Sequence, residues 1–258
     1  MSDLHWKTGI CKIKPNEVRL RGYRVDELMG QISFGQVVYL ALKGDLPSEN
    51  IGKMIDAVLV SSIDHGATPP SALTAMTIAS TGAPLNAAVA GGILAINKLH
   101  GGAIEDCMGA LLQVDDKIRA RQISIPVAVN ELVTEYKEVG RRISGFGHRI
   151  HTEDPRTIKL FQLADSLKIG SHFIAIAKEI ETELAAQRGK RLPINVDGAI
   201  AAVLCELELS PALANAFFMI ARLPGLVAHV HEEQTRQRPM RAIHPENHEY
   251  DGPADRSL

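Results

Sequence analysis

The sequence has few aromatic residues, little excess charge and no paired cysteines, and each shortage limits what the protein can be. Aromatic residues make up 4% of its 258 residues, and the formal net charge is -2. No block of Lys and Arg could neutralise a run of phosphates, which argues against nucleic acid as a partner. Cys11, Cys107 and Cys205 lie far apart and form no Cys-x-x-Cys pair, which argues against a disulfide framework and a thiolate metal site.

Long apolar runs are also missing. Residues 1–14 contain no apolar stretch that could serve as a signal peptide. No window approaches the roughly 18 apolar residues that a membrane span needs. The hydrophobic fraction of 45% is nevertheless large enough for a well-formed core. We therefore expect a folded cytoplasmic protein that does not contact a membrane.

The spacing of the apolar residues predicts an all-α fold. Strict alternation is nearly absent, while Ala, Leu, Ile, Glu and Lys recur at spacings of three and four. Ser33 and Gln36 form the signature of a capping box before a helix over residues 37–43, and Gly44 is a stop signal. A second start at Ser210-Pro211 predicts a helix over residues 212–222 that ends at residues 223–225 (LPG). Further helices are predicted over residues 49–60, 85–98, 104–112, 125–138, 157–167, 171–187 and 198–207.

Four turns place a His or Asp beside glycine at a predicted helix boundary. They are residues 62–66 (SIDHG), 99–102 (LHGG), 144–148 (SGFGH) and 194–198 (INVDG). A single histidine is more often structural than catalytic, but His65, His100, His148 and Asp197 all fall in turns, where function concentrates. A carboxylate with several neutral imidazoles suits proton abstraction next to a carbonyl, because one group removes the proton while the others stabilise the enolate.

Other motifs are weaker. Residues 145–147 lack the third glycine and the preceding strand of a dinucleotide-binding loop. His229 and His231, followed by Glu232 and Glu233, could suggest a metal site, but residues two apart on a helix point in different directions. We therefore interpret residues 229–233 as a solvated helix face and expect no metal site. No Gly-x-Ser-x-Gly motif supports acyl-enzyme chemistry. Arg141 and Arg142 are typical of an exposed charge pair.

From about residue 20 to about residue 245, the sequence resembles the citrate synthase superfamily. The matching segments occur in the order that the superfamily shows: residues 20–28 (LRGYRVDEL), 44–47 (GDLP), 79–82 (ASTG), 99–103 (LHGGA), 145–148 (GFGH), 154–156 (DPR) and 195–197 (NVD). The resemblance implies that Asp197 exchanges a proton with the methyl group of acetyl-CoA. It implies that His100 hydrogen-bonds the thioester carbonyl and stabilises the enolate. It makes His148 the residue that protonates the carbonyl oxygen of oxaloacetate.

The resemblance also implies how the ketoacid is bound. His65, Arg156, Arg222 and Arg241 correspond to residues that contact oxaloacetate. Bidentate guanidinium groups suit a dicarboxylate because they set its orientation as well as matching its charge. In the superfamily the last of these arginines serves the partner subunit. The resemblance therefore implies a homodimer or a higher homo-oligomer.

Three residues are implied in binding the CoA thioester. Backbone groups around Arg142, Ile143 and Gly145 correspond to those that contact the adenine end of CoA. The thioester is a substrate, and we expect no permanently bound cofactor.

The implied architecture is a citrate synthase-like fold of two helical domains that close over the site and exclude water. Residues 1–104 and 192–258 would form the large domain, and residues 105–191 the small inserted one.

Several segments of the sequence favour a lyase over a synthase. The chain begins inside the region where full-length citrate synthases start, and residues 63–66 (IDHG), 195–198 (NVDG) and 244–250 are similar to stand-alone citryl-CoA lyases and to the lyase region of ATP citrate lyase. His100, in contrast, follows the synthase pattern. We predict cleavage of citryl-CoA into acetyl-CoA and oxaloacetate. The alternatives are a citrate or 2-methylcitrate synthase, which releases CoA, and a non-catalytic relative that binds an acyl-CoA or a dicarboxylate.

Overall fold

The computed structural model describes residues 6–147, 152–241, 249 and 251–252. Helices dominate this part of the chain, so the predicted all-α fold is confirmed. The helices are α1 (Val25–Leu28), α2 (Phe34–Lys43), α3 (Glu49–Ser61), α4 (Pro70–Ser80), α5 (Leu85–Leu94), α6 (Ala103–Arg121), α7 (Ile125–Glu138), α8 (Pro155–Ser166), α9 (His172–Arg188), α10 (Val196–Glu206) and α11 (Ala214–Arg236). A short 3-10 helix, Pro211–Leu213, precedes α11.

The capping signals in the sequence correspond to real helix ends. The backbone N–H of Gln36 donates to Oγ of Ser33 (3.3 Å), and the backbone N–H of Ser33 donates to Oε1 of Gln36 (3.0 Å). Gly44 ends α2 in a left-handed conformation, with φ of 102°. The helix predicted over residues 125–138 has those bounds in α7. These ends are set by local hydrogen bonds, which is why the sequence alone predicts them.

A small antiparallel sheet at the N-terminal end was not predicted. It has the order β1 (Cys11–Lys14), β2 (Glu17–Leu20) and β3 (Tyr23–Arg24). The strands are too short and too exposed to show an alternating pattern. The guanidinium of Arg21 donates to the carbonyl oxygen of Ala41 from both Nε (3.2 Å) and Nη2 (2.8 Å), which attaches the sheet to α2.

The prediction that the last helix ends at residues 223–225 is wrong. Pro224 lies inside α11, and the helix continues to Arg236. An internal proline removes one backbone hydrogen bond and costs about 3 kcal/mol. Beyond it, Leu226 and Val230 are fully buried, and burying each such side chain contributes about 1.5–3 kcal/mol. Tertiary packing therefore outweighs the local stop signal.

The helical stretch Pro211–Arg236 is long and apolar enough to cross a membrane by length and composition alone. This differs from the expectation that no such window exists. Phe217, Leu226 and Val230 are buried inside the protein, and the charged Arg222 and Glu233 in the same helix are also buried. These contacts are typical of a helix at the centre of a folded domain.

Two hydrophobic cores share α11. The larger core combines α2, α3 and α6 to α10 with the first half of α11, and the smaller core lies between α4, α5 and the second half of α11. Helix α10 is surrounded by α6, α8 and α9, and nine of its residues are buried. The helices that present polar groups to the site are therefore held by extensive packing. The division into residues 1–104 with 192–258 and residues 105–191 stays a prediction.

Candidate active site

A cavity of about 890 Å³ collects polar residues from distant parts of the chain. Its walls come from the turns after α3 and before α6 and from the first turns of α4, α8 and α10, together with α11. Five of the residues predicted from the sequence line it: His65, His100, Arg156, Asp197 and Arg222. Their separation along the chain shows that tertiary folding creates this site.

Asp197 lies in the first turn of α10, where helix capping holds the backbone. Oδ1 of Asn195 accepts hydrogen bonds from the backbone N–H groups of Asp197 (3.0 Å) and Gly198 (3.2 Å). Burial raises the pKa of the Asp197 carboxyl above its usual value, although Arg156 and Arg222 oppose that rise. A raised pKa makes the Asp197 carboxyl easier to protonate, which suits a group that acts as a general acid or base.

His100 lies in the turn between α5 and α6. Its backbone exchanges hydrogen bonds with Asn97 at 2.8 and 2.9 Å, and Gly101 follows with φ of 100°. Its Nε2 lies 2.8 Å from Oγ of Ser71 and accepts the backbone N–H of Ser71 (3.4 Å). Burial, followed by the charge of Arg222, lowers the pKa of His100. The imidazole is therefore neutral at neutral pH, and because Nε2 accepts, the proton is on Nδ1.

Arg222 is a buried cation on α11. Its Nε donates to the carbonyl oxygen of Ser62 (3.1 Å), and its guanidinium lies 4.8 Å from the ring centre of Phe218. Burial lowers the pKa of Arg222. Within the described part of the chain, Nη1 of Arg222 is buried without a hydrogen-bond partner. An unsatisfied buried donor costs about 1–3 kcal/mol, so a donor of this kind suits a site that takes an anionic ligand.

Arg156 is held at the start of α8. Its Nε and Nη2 donate to the two carboxylate oxygens of the buried Asp154, at 3.0 and 2.8 Å. Its Nη1 donates to the carbonyl oxygen of Ser61 (3.4 Å). Burial lowers the pKa of His65, and the charges of Arg156 and Arg222 lower it further. The three side chains form one electropositive wall that suits a dicarboxylate.

His148 lies outside the described residues. The segment that leads to it is anchored on the residues just before α10. Gly147 lines the cavity, its backbone N–H donates to the carbonyl oxygen of Pro193 (2.7 Å), and its own carbonyl oxygen accepts from Nδ2 of Asn195 (2.9 Å). Gly145 packs against Gly198, and a Cβ on Gly145 would lie 2.7 Å from the Cα of Gly198.

Arg142 and Ile143 lie apart from the main cavity. They line a smaller cavity of about 140 Å³ together with Phe146, Leu184, Arg188 and Leu192. Gly145 is not one of the described residues that line it. The sequence had not indicated Arg188, which α9 brings beside Arg142 from a distant part of the chain.

Arg241 is not one of the described residues that line the main cavity. Its Nε and Nη2 bind the two carboxylate oxygens of Glu233, at 3.0 and 2.7 Å, and the Glu233 side chain is 1% exposed. The interpretation of residues 229–233 as a solvated helix face is therefore wrong for His229 and Glu233. Glu233 is buried, and the side chain of His229, 17% exposed, lies 3.0 Å from Oδ1 of Asp64.

Three polar residues without a role predicted from the sequence support the site. Ser71 contacts His100, Asp154 binds Arg156, and Asn195 caps the helix that carries Asp197. Asn195 and Asp154 each precede a helix and could have been recognised as capping residues. Ser71 carries no local signal for its contact, because its partner lies in a different turn.

Comparison with known proteins gives the context for this site. The chain matches the family described as citrate synthase, C-terminal domain, over residues 48–245. It is 30% identical to a citrate synthase from Haloferax volcanii over 205 residues, which is 78% of this chain and 51% of that protein. The chain spans about half the length of the curated relatives it matches.

Solved structures show the same fold. A citryl-CoA lyase from Hydrogenobacter thermophilus is 42% identical, with a TM-score of 0.89 and coverage of 98% of this chain and 97% of that one. An ATP citrate lyase from Methanothrix soehngenii, solved with citrate and coenzyme A, has a TM-score of 0.85 at 23% identity, covering 99% of this chain and 43% of that chain. On the family match and on these likenesses together, the chain belongs to the citrate synthase family.

Proposed function

We propose that this protein is a citryl-CoA lyase, which cleaves citryl-CoA into acetyl-CoA and oxaloacetate. The observation that carries the proposal is the 42% identity to a citryl-CoA lyase, which extends over 98% of this chain and 97% of that one. The cavity supports it, because a carboxyl, a neutral imidazole and two guanidinium groups surround one space. Those are the groups that carbon–carbon cleavage next to a thioester requires.

In the proposed reaction, His148 removes the proton of the tertiary hydroxyl of citryl-CoA. The bond to the acetyl unit breaks, its electron pair forms the enolate of acetyl-CoA, and the alkoxide becomes the ketone of oxaloacetate. The Nδ1–H of His100 stabilises the enolate oxygen, and a neutral imidazole does so without transferring its proton completely. Asp197, whose pKa burial raises, gives its proton to the methylene carbon and completes acetyl-CoA.

The ketoacid part of the substrate would lie against Arg156, Arg222 and His65. Arg156 is oriented by Asp154, and the unpaired Nη1 of Arg222 offers a donor to a carboxylate. Charge-assisted hydrogen bonds of this kind are about twice as strong as hydrogen bonds between neutral groups. This wall would also stabilise oxaloacetate while the carbon–carbon bond breaks.

The CoA part would extend toward the smaller cavity. Leu99 lines the main cavity beside His100 and is 95% exposed, which gives an apolar surface for the pantetheine arm. Arg142 and Arg188 bring two positive charges to the smaller cavity, where Ile143 and Phe146 add apolar surface for an adenine ring. We propose this cavity as part of the CoA site.

The assembly and the compartment are also proposals. A homodimer or higher homo-oligomer would let Arg241 serve the site of a second subunit, as the resemblance implies. Domain closure would exclude water from the enolate. Size-exclusion chromatography with light scattering would test the oligomer, and a monomeric active enzyme would contradict it. The cytoplasmic location stays a prediction.

A citrate or 2-methylcitrate synthase is the second candidate. The 30% identity to a citrate synthase and the presence of His100 favour it. The same residues would run the carbon–carbon step in either direction, by microscopic reversibility. A synthase differs because it also hydrolyses citryl-CoA to citrate and free CoA.

The deciding experiment supplies purified protein with synthetic citryl-CoA. Malate dehydrogenase and NADH would report oxaloacetate, while a thiol reagent would report free CoA. Oxaloacetate without free thiol supports the lyase, and free thiol without oxaloacetate supports the synthase. If neither product appears, a binding assay with citryl-CoA would identify a non-catalytic relative.

A further inference from the structure

One turn, residues 61–66, contacts two of the residues proposed to bind the ketoacid and contains the third. The carbonyl oxygen of Ser61 accepts from Arg156 (3.4 Å), and the carbonyl oxygen of Ser62 accepts from Arg222 (3.1 Å). His65, in the same turn, lines the cavity. A small displacement of this turn would therefore move several ligand-binding groups together.

Asp64 connects this turn to α11. Its Oδ2 accepts the backbone N–H of Gly66 (2.9 Å), which closes the turn, and its Oδ1 lies 3.0 Å from Nε2 of His229. Burial raises the pKa of Asp64, but the N–H of Gly66 and the side chain of His229 lower it more, so the carboxylate is ionised. An ionised acceptor makes the stronger type of hydrogen bond.

Helix α11 meets the turn along one face. Arg222, Gly225 and His229 are three and four residues apart, which places them on the same side of a helix. Gly225 allows the close approach, because a Cβ there would collide with the carbonyl oxygen of Ile63. Gly225 has no side chain that could hydrogen-bond the turn, so it contributes close packing only, whereas the contact of His229 with Asp64 is a directional hydrogen bond.

We propose that His229 is a positioning residue for ketoacid binding. Through Asp64 it holds the turn against α11, and so sets the places of His65 and of the carbonyl oxygens that orient Arg156 and Arg222. His229 is not one of the described residues that line the cavity, so its effect on the ligand is indirect. The inference rests on the proposed function, which makes a dicarboxylate the ligand of this wall.

The test measures two ligands on the same variants. Isothermal titration would give the dissociation constants of oxaloacetate and of acetyl-CoA for the wild type and for His229→Ala. We expect oxaloacetate to bind about tenfold more weakly to the variant, the scale of one charge-assisted hydrogen bond. Acetyl-CoA affinity should change by less than about twofold, because the turn does not line the smaller cavity.

Three further variants separate positioning from general stability. In His229→Gln the side-chain amide can still donate to Asp64, so we expect oxaloacetate affinity close to that of the wild type. His231→Ala is the matched control, because His231 is exposed on the same helix two residues away. It should bind both ligands as the wild type does. The double variant that carries both Asp64→Asn and His229→Ala should bind oxaloacetate no more weakly than the weaker-binding single variant. Both changes break the same hydrogen bond, so their effects should not add.

The outcomes distinguish the two proposals. Wild-type protein that does not bind oxaloacetate would overturn the proposed function. If the wild type binds oxaloacetate and His229→Ala binds it with the same affinity, the role of His229 is overturned and the proposed function is not. Equal weakening of both ligands, with a lower melting temperature, would show a merely structural role. If His229→Ala does not fold, oxaloacetate binding by His229→Gln and by Asp64→Asn would decide. The proposal requires that His229→Gln binds oxaloacetate strongly and that Asp64→Asn binds it weakly.

Discussion

The side chain of Asn195 donates a hydrogen bond from Nδ2 to the carbonyl oxygen of Gly147, at 2.9 Å. Its Oδ1 simultaneously caps α10 by accepting from the backbone of Asp197 (3.0 Å). One amide thus joins the helix that carries the proposed acid to the segment that precedes His148 in the chain.

Replacing Asn195 with Ala should therefore reduce catalysis more than stability. Loss of a helix cap costs about 0.5–2 kcal/mol, while a displacement of about 1 Å at a reacting group can cost about a hundredfold in rate. We expect turnover of citryl-CoA to fall at least about tenfold. Ser48→Ala is the control, because Ser48 caps α3 away from the cavity by accepting from Ile51 (3.3 Å). If Asn195→Ala and Ser48→Ala lose the same stability and turn over citryl-CoA at the same rate, the prediction is contradicted.

Asp197→Asn should remove the proton transfer while keeping the shape of the site. General acid catalysis typically contributes about 100-fold or more, so we expect at least that loss in kcat. Binding of oxaloacetate should persist, because Arg156 and Arg222 are unchanged. Glu105→Gln, an acid-to-amide change at an exposed position, is the control. Full activity of Asp197→Asn would show that another group moves the proton.

The stability of the protein should fall as the solution becomes acidic, partly because of His100. Burial and Arg222 lower the pKa of His100 below its ordinary value of 6.5. On acidification, His100 is therefore protonated at a higher pH in the unfolded chain than in the folded protein. Its contribution to the free energy of unfolding is complete above pH 6.5 and is lost as the pH falls below that value. Urea denaturation would give the free energy of unfolding at about pH 7.5 and at about pH 5. The decrease between these two pH values should be smaller for His100→Gln than for the wild type. Identical losses would show that His100 does not contribute.

Gly198→Ala should destabilise the protein, although alanine is the better helix former. A Cβ at Gly198 would collide with the carbonyl oxygen of Gly145, and such overpacking costs about 1–3 kcal/mol. Gly109→Ala is the matched control, because Gly109 also lies in a helix and a Cβ there meets nothing within 4 Å. We expect Gly109→Ala to raise the free energy of unfolding by about 0.5–1 kcal/mol. Stabilisation by both changes would contradict the predicted collision.

Arg188→Ala should weaken binding of the CoA thioester. If the smaller cavity takes the CoA end, removing one of its two cations should raise KM for citryl-CoA about tenfold, with little change in kcat. Arg236→Ala, which removes an exposed arginine on α11, is the control. An unchanged KM in Arg188→Ala would place the CoA site elsewhere.

Much of the candidate site could be recognised from its turns. His65, His100 and Asp197 were singled out because each lies beside glycine at a helix boundary, and the structure brings them to one cavity. Arg156 and Arg222 were assigned through the resemblance and also line it. The roles assigned to these residues stay predictions. Ser71 could not be recognised, because its contact with His100 joins two turns that are distant in sequence.

The sequence by itself determined the helical class and the local ends of helices, since apolar periodicity and capping are short-range effects. The capping box at Ser33 and the left-handed Gly44 illustrate this. Only the tertiary structure decided that α11 continues through Pro224, that His229 binds Asp64 and that Arg241 pairs with Glu233. Each of these depends on burial or on a partner far along the chain. Such contacts form only when the helices pack, and their free energy then exceeds the local preferences that the sequence displays.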